Sequence, residues 1–475
     1  MSSTLAAAHV RAAPLARPAM WRVATPMSLS GAIGLLVWSQ PVDPPGGMFW
    51  LALLPLMWLL APTRFAGFAA VLSYHLAAGP TTAAAAAGYF PQWSALACVA
   101  VYLAFALALS LPWALLDVRR EVAPGRRLLA LAAVVLISVA PPVGVISAWH
   151  PLLAAAWVYP GGGWLALAIV LAAWGAVAWR PRITTGVLST AAMGAIALAT
   201  SWGYTEPSAP PRLLALDQAV ARAPTFAAFG MKLEQLNTQL RELARPPGSV
   251  VVLPETAIEE WKPSVQAMVS VALRQRLLDG PLLAGTMVRD ASGSWGAAVL
   301  IQHDGPATIV RSRQPLVLGL WHPWDPVDHY SANWLHPEVM EVAGERASIR
   351  LCSEEFPLFW TLVDQIVDRP TVMIVMGSHY WSNTIMHDVT QSRHGRAAAR
   401  LFGIPIVRAI NRSPSHPAAR ALAPAPVRPL RRLRPQAPQA ASATAALAAS
   451  APSPITSSAS RTNGAGRPSE VTQLM

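Results

Sequence analysis

The chain has 475 residues, of which 53% are hydrophobic and only 13% charged, about half the charge of an average globular protein. With a mean hydropathy of +0.38, this excludes a wholly soluble, a disordered or a fibrous chain. The balance is basic, 36 Lys+Arg against 24 Asp+Glu. The Arg residues gather at the edges of apolar stretches and in the tail rather than on one face, so no nucleic-acid partner is expected.

The apolar excess lies before residue 206. Residues 1–22 carry Arg11, Arg17 and Arg22 and read as a cytoplasmic N-terminal segment. Residues 23–205 read as a membrane domain. Within it, residues 65–116 and 128–179 are two runs of 52 without Asp, Glu, Lys or Arg, and 183–205 is a third of 23. A membrane helix needs about 20 residues, so each long run is expected to form a hairpin of two spans. Residues 23–63 hold only Asp43 and leave room for two short spans. The expected total is about seven. Arg64, Arg119, Arg120, Arg126, Arg127, Arg180 and Arg182 lie between hairpins, whereas the loops within hairpins (41–47, 80–91 and 151–163) have no Lys or Arg. The positive-inside rule puts the Arg-bearing loops in the cytoplasm. An odd count then places all that follows on the outer face of a bacterial inner membrane, in the periplasm. A six-span alternative would put it in the cytoplasm. No charge falls mid-span, which argues for an anchor rather than an ion path.

Residues 206–413 alternate short apolar runs with helical patterns. Strands are expected over 213–216, 249–253, 281–288, 296–302, 307–311, 347–352, 371–376 and 404–410. Helices are expected over 231–243, with Leu233, Leu236, Leu240 and Leu243 at helical spacing, and over 265–278, 356–367 and 389–401. Such alternation defines an α/β layered domain, where chemistry gathers at the carboxyl ends of strands. Two ends stand out: Val-Val-Leu-Pro-Glu-Thr-Ala at 251–257 and Leu-Cys-Ser-Glu-Glu at 351–355. A thiol becomes a nucleophile once deprotonated, and a nearby carboxylate can take its proton. Glu255 and Cys352 are therefore the skeleton of Cys-dependent acyl transfer. The helix dipole offers an alternative for Glu354 and Glu355 as first-turn acids of the helix from Phe356, and for Glu355 this is the better reading. His379 is the alternative base for Cys352. His322, Asp325, Asp328 and His329 lie in a proline-broken loop without helical ligand spacing, so no metal and no cofactor are expected. Cys98 lies in an apolar run, and no disulfide is expected.

The P-E-T-A segment at 254–257, the C-x-E segment at 352–354 and the stretch 391–411 (QSRHGRAAARLFGIPIVRAIN) resemble the nitrilase, or carbon-nitrogen hydrolase, superfamily. With the membrane half they resemble most its apolipoprotein N-acyltransferases and TraB-type conjugal transfer proteins. The resemblance implies an α-β-β-α sandwich after a polytopic helical domain, Glu255 as general base, Cys352 as nucleophile and Glu354 as a supporting carboxylate. The family's third catalytic residue, an oxyanion-stabilising Lys, has no counterpart. The only lysines are Lys232 and Lys262, and Arg313 falls nearest the position. The segment 318–321 also lacks a Glu that the N-acyltransferases carry, which favours the TraB-type relatives. The implied function is acyl transfer or amide hydrolysis at the membrane surface in support of plasmid conjugation. The alternatives are a non-catalytic envelope or conjugation component on the same fold, and apolipoprotein N-acylation itself. The implied partners are the lipid bilayer, a phospholipid acyl donor or a lipoprotein, and the conjugation machinery. Residues 414–475, dominated by Ala, Pro, Ser and Arg, are expected to be a disordered tail.

Overall fold

The computed structural model describes residues 17–116, 118, 121–291, 293–322, 330–335, 339–382 and 384–413, with side chains from residue 20 onward. The expected tail, most of the N-terminal segment and Asp325, Asp328 and His329 lie outside the described residues.

The first half is helical: α1 (Arg17–Trp38), a 3-10 turn (Gly47–Ala52) running into α2 (Leu53–Leu60), α3 (Arg64–Ala78), α4 (Pro80–Tyr89), α5 (Ala95–Leu115), α6 (Pro124–Val139), α7 (Ala155–Val158), α8 (Gly163–Trp179) and α9 (Ile183–Ser201). Three of these, at 20–38, 95–115 and 183–201, are long and apolar enough to cross a membrane. A fourth is reached if the bent pair 151–158 and 163–179 counts as one span. The uncharged runs thus carry helices of unequal length. Prolines and glycines divide the uncharged runs unevenly. Pro80 starts α4 immediately after Gly79 ends α3, since proline cannot continue a helix from within. The apolar residues around Pro141, Pro142 and Pro151 form 3-10 turns instead of lengthening α6 and α8. The outer faces remain apolar: Leu96, Val99, Leu103, Leu107 and Leu111 form an exposed stripe along α5, and Ile183, Val187, Leu188 and Leu198 one along α9. Exposed apolar surface of that extent fits lipid rather than water.

The second half is mixed α/β. Its strands are β1 (Leu213–Ala215), β2 (Val250–Val252), β3 (Leu282–Asp290), β4 (Gly293–Ile301), β5 (Thr308–Arg311), β6 (Val339–Val342), β7 (Glu345–Leu351), β8 (Val372–His379) and β9 (Ile406–Arg412). Its helices are α10 (Phe226–Glu242), α11 (Pro263–Ala272), α12 (Arg274–Asp279), α13 (Leu358–Val367) and α14 (Ile385–Phe402). The strands form two sheets, ordered β1-β2-β3-β4-β5 and β6-β7-β8-β9. In the first, β1, β2 and β3 run parallel and β4 and β5 antiparallel; in the second, β7, β8 and β9 run parallel and β6 antiparallel.

Period-2 alternation distributes the apolar side chains. Val250, Val252, Leu283, Ala298 and Leu300 of the first sheet meet Ile349, Leu351, Ile374, Met376 and Ala409 of the second in one buried cluster. The intervening Val251, Leu282, Ala284 and Val299 face the other way and pack on Leu233, Leu236 and Leu240 of α10 and Val265 and Val269 of α11. On the outer face of the second sheet, Met373 and Val375 pack on Ala398 of α14. The opposite side of α13 and α14 contributes Leu358, Ala397 and Leu401 to the core of the helical half. One strand was not anticipated: β6 pairs with β7 across the two-residue turn Ala343-Gly344, both at positive φ, the combination a type I′ hairpin requires.

Helix α14 docks on loops of the helical half. Arg393 pairs with Asp43 at 3.0 Å and donates to the Val37 carbonyl. The Trp149 N–H donates to His394, whose ring stacks on Trp38. Arg400 donates to the Ala156 carbonyl. The lone acid of residues 23–63 thus finds its counter-charge in the α/β half.

Candidate active site

Two loops converge from different sheets. The first follows β2. Pro254-Glu255-Thr256-Ala257 is held against β3 by hydrogen bonds from Gly285 N–H to the Pro254 carbonyl and from Ile258 N–H to the Gly285 carbonyl, both 3.1 Å. The approach is so close that a Cβ on Gly285 would lie 2.2 Å from the Glu255 Cα. From below, the Lys232 ammonium donates to the Thr256 carbonyl at 2.7 Å and pairs with Glu259 at 2.9 Å. Thr256 Oγ1 accepts from Asn411 of β9.

The second loop follows β7. Cys352 sits at φ 45°, in the left-handed region that costs a non-glycine residue about 1–3 kcal/mol and that marks strained functional turns. Glu354 staples this turn to residues 312–314. Its Oε1 accepts from the Ser312 hydroxyl and from the N–H groups of Arg313 and Gln314, and its Oε2 accepts from the Leu351 N–H at 3.0 Å. Gln391 of α14 donates to the Cys352 carbonyl.

These constraints bring the Glu255 carboxyl and the Cys352 thiol close enough to set each other's charge; the thiol also donates to the Ser378 carbonyl at 4.0 Å. Burial raises the Glu255 carboxyl to about 7; the Glu354 charge adds to the shift, while the hydrogen bond to Cys352 and the charge of Arg222 oppose it. Burial, with the Glu255 charge, holds the thiol well above its ordinary range. The thiol therefore stays protonated on its own near neutrality, while its partner is poised to accept a proton there. That is the pairing a general base and a nucleophile need.

The thiol opens onto a cavity of about 180 Å³. Thr82, Ala86 and Tyr89 of α4, Phe105 of α5, Val145 and Trp149 form its wall on the helical side. Leu316, Val317, Phe356 and Trp381 form the other side. The floor carrying the thiol belongs to one half of the chain and much of the apolar wall to the other.

Of the four residues expected at the site, Glu255, Cys352 and Glu354 come together and the Arg313 side chain does not. Its guanidinium is buried, paired with Asp364 of α13 and lying 5.5 Å over the Trp360 ring. Asp364 also binds Arg350 at 2.6 Å and Ser348 at 2.7 Å. Burial alone would raise this carboxyl, but the Arg350 and Arg313 charges outweigh it and hold the pKa below the usual value. Expected as an oxyanion cation, Arg313 instead ties the segment after β5 to α13, because a guanidinium in the interior goes where a buried carboxylate can neutralise it. His379 turns to Gln391 and Asp388 rather than to the thiol. Glu355, expected as a first-turn acid, is buried in a bidentate pair with Arg408, both contacts 3.0 Å. His322 contacts the Leu318 carbonyl.

The sequence reading passed over Lys232 and Gln391 as site residues. Lys232 left a trace: it falls within the buried α10 stripe of Phe229, Leu233, Leu236 and Leu240, where a charge needs a partner. Gln391 left none.

A strained cysteine beside a buried glutamate thus lies at the strand ends of an α/β domain that follows a set of apolar helices. Over most of its length the chain is similar to TraB conjugal transfer proteins. It is 27% identical over 420 residues to the conjugal transfer protein TraB of Agrobacterium fabrum, covering 82% of this chain and 93% of the relative. It is 25% identical over 369 residues to a probable conjugal transfer protein TraB of Sinorhizobium fredii, covering 75% and 90%. No family model matches the chain. Among solved structures, a CN-hydrolase superfamily protein of Xanthomonas campestris with an arsenic adduct in its active site matches 42% of this chain and 75% of its own, at 16% identity and a TM-score of 0.33.

Proposed function

We propose that this is a TraB-like protein of plasmid conjugation, anchored in the bacterial inner membrane, whose α/β half is a nitrilase-type α-β-β-α sandwich and whose Cys352 carries an acyl group. The observation that carries this reading is the Glu255–Cys352 pair on the floor of an apolar cavity walled by α4 and α5. Glu255 takes the thiol proton, and the sulfur attacks an ester or amide carbonyl to give a thioester. The leaving group departs with that proton, and an amine or water then accepts the acyl group. An apolar wall beside exposed apolar helices suits an acyl chain arriving from the bilayer. A phospholipid and a lipoprotein are the corresponding donor and acceptor classes.

The contacts of α14 support a periplasmic position for the α/β half. Its partners Asp43, Trp149 and Ala156 belong to Arg-free loops or to segments beside them, the loops that the positive-inside rule assigns to the outer face. The test is the intact mass of the detergent-purified full chain, with phospholipid supplied, before and after hydroxylamine. A hydroxylamine-labile adduct absent from Cys352→Ala establishes the thioester. A folded protein without one favours the second reading, a non-catalytic conjugation component. The burial of Arg313 against Asp364 speaks for that reading, since it takes up the side chain that falls nearest the family's lysine position.

A further inference from the structure

The thioester chemistry needs a donor for the oxygen that becomes negative when sulfur attacks, and the only lysines are Lys232 and Lys262. Lys232 is held on Glu259 beneath the loop, and Lys262 pairs at the surface with Glu260. A different group occupies the cavity beside the thiol. Tyr89, the last residue of α4, lines the same cavity as Cys352 and has Glu255 and Cys352 as electrostatic neighbours. Its ring is clamped on two sides. It meets the Trp381 ring edge-on, centroids 5.6 Å apart. On the other side a Cβ at Gly319 would lie 2.8 Å from its Cε1 and 3.0 Å from its Cζ. The preceding Gly88 is equally tight, a Cβ there falling 2.7 Å from the Trp381 carbonyl oxygen. The end of α4 is thus seated in the α/β half with no slack, and the tyrosine hydroxyl makes no hydrogen bond among the described residues.

We propose that the Tyr89 hydroxyl, supplied by the helical half, is the oxyanion donor for Cys352, so that the catalytic centre is completed only when the two halves are docked. This rests on the acyl-transfer reading. As Glu255 takes the thiol proton, sulfur bonds to the carbonyl carbon and the carbonyl π pair moves onto oxygen, which accepts the Tyr89 O–H. When that pair re-forms the carbonyl, the bond to the leaving oxygen or nitrogen breaks, and the leaving group takes the proton back from Glu255. Tyr89 gives up no proton over the cycle. A neutral hydroxyl suits this place, because it needs no counter-ion in an apolar cavity.

The experiment uses the detergent-purified full chain with p-nitrophenyl octanoate as acyl donor and iodoacetamide as control electrophile. Alkylation by iodoacetamide consumes the thiolate without forming an oxyanion. Tyr89→Phe keeps the ring and its clamp, and is expected to slow Cys352 acylation by about 10²–10³, the usual cost of one oxyanion donor, with alkylation within about twofold of wild type. Gly319→Ala, which pushes the ring without removing the hydroxyl, is expected to slow acylation selectively as well. Acylation of Tyr89→Phe at the wild-type rate overturns the proposal. So does an equal loss of acylation and alkylation, which would place the tyrosine's effect on the thiol. A wild-type protein that alkylates at Cys352 but never acylates sinks the acyl-transfer reading itself, and the role of Tyr89 with it.

Discussion

Replacing Glu255 by Gln removes the proposed base and keeps the shape of the side chain. Raising a carboxyl from its ordinary 4.5 to about 7 disfavours its anion by about 3 kcal/mol. The group is then about 1% ionised at pH 5, half at pH 7 and about 90% at pH 8. If Glu255 takes the thiol proton, Cys352 alkylation by iodoacetamide rises about a hundredfold from pH 5 to 8 and levels off just above neutrality. In Glu255→Gln the rate is expected to climb about tenfold per pH unit with no plateau near 7, because only the thiol's own ionisation, which lies well above neutrality, remains. His387 cannot supply such a plateau, since burial pushes its ring down to about 3. Thermal stability gives an independent readout. The folded state holds the Glu255 proton more tightly than the unfolded state. Its contribution is therefore fully present below about pH 4.5 and is lost as pH rises through about 7. The melting temperature of Glu255→Gln should gain on wild type across that window and stay level above it. A plateau near pH 7 that survives in Glu255→Gln would refute the assignment of the base.

Other outcomes follow from the same geometry. Gly285→Ala forces the Glu255 backbone off β3 and should abolish the alkylation plateau in a protein that still melts cooperatively. Arg313→Met leaves Asp364 with Arg350 and Ser348 and should cost about 3 kcal/mol, the low end for breaking a buried pair, read as reduced yield and melting temperature. Arg313→Lys should recover part of that stability without speeding acylation, and faster acylation would show that residue 313 reaches the reacting centre. An alkaline phosphatase reporter joined after residue 205 should be active and one after residue 181 inactive; the reverse would place the α/β half in the cytoplasm.

The two loops were legible because each obeys a local rule. Apolar runs end at Pro254 and Cys352, and their side chains alternate strictly between the facing sheets and the outer helices. The polar network beneath them was not legible. Nothing in the spacing of Ser348, Arg350, Asp364 and Arg313 shows that the first two and the last share the one buried carboxylate of Asp364. The helix boundaries of the first half suffered differently. Hydropathy counts apolar residues, and it counts those in 3-10 turns at 143–146 and 151–154 as if they crossed a bilayer. Those turns instead shape the cavity wall through Val145, Ile146 and Trp149. An uncharged run longer than its helices was therefore marking the site as well as the membrane.

The absence of a lysine at the thiol has a physical sense once the wall is considered. A cation in an apolar cavity needs a carboxylate, and the nearest here is Glu255, which must stay basic. An ammonium beside it would hold the Glu255 carboxyl below its present value. Tyr89→Lys tests this directly. It is expected to move the midpoint of Cys352 alkylation below the wild-type value of about 7 and to lower the plateau, because a weaker base takes the thiol proton less readily. An unchanged midpoint would mean that a side chain at position 89 does not sense the carboxyl, and the hydroxyl now there would then be too remote to reach the oxygen that Cys352 creates.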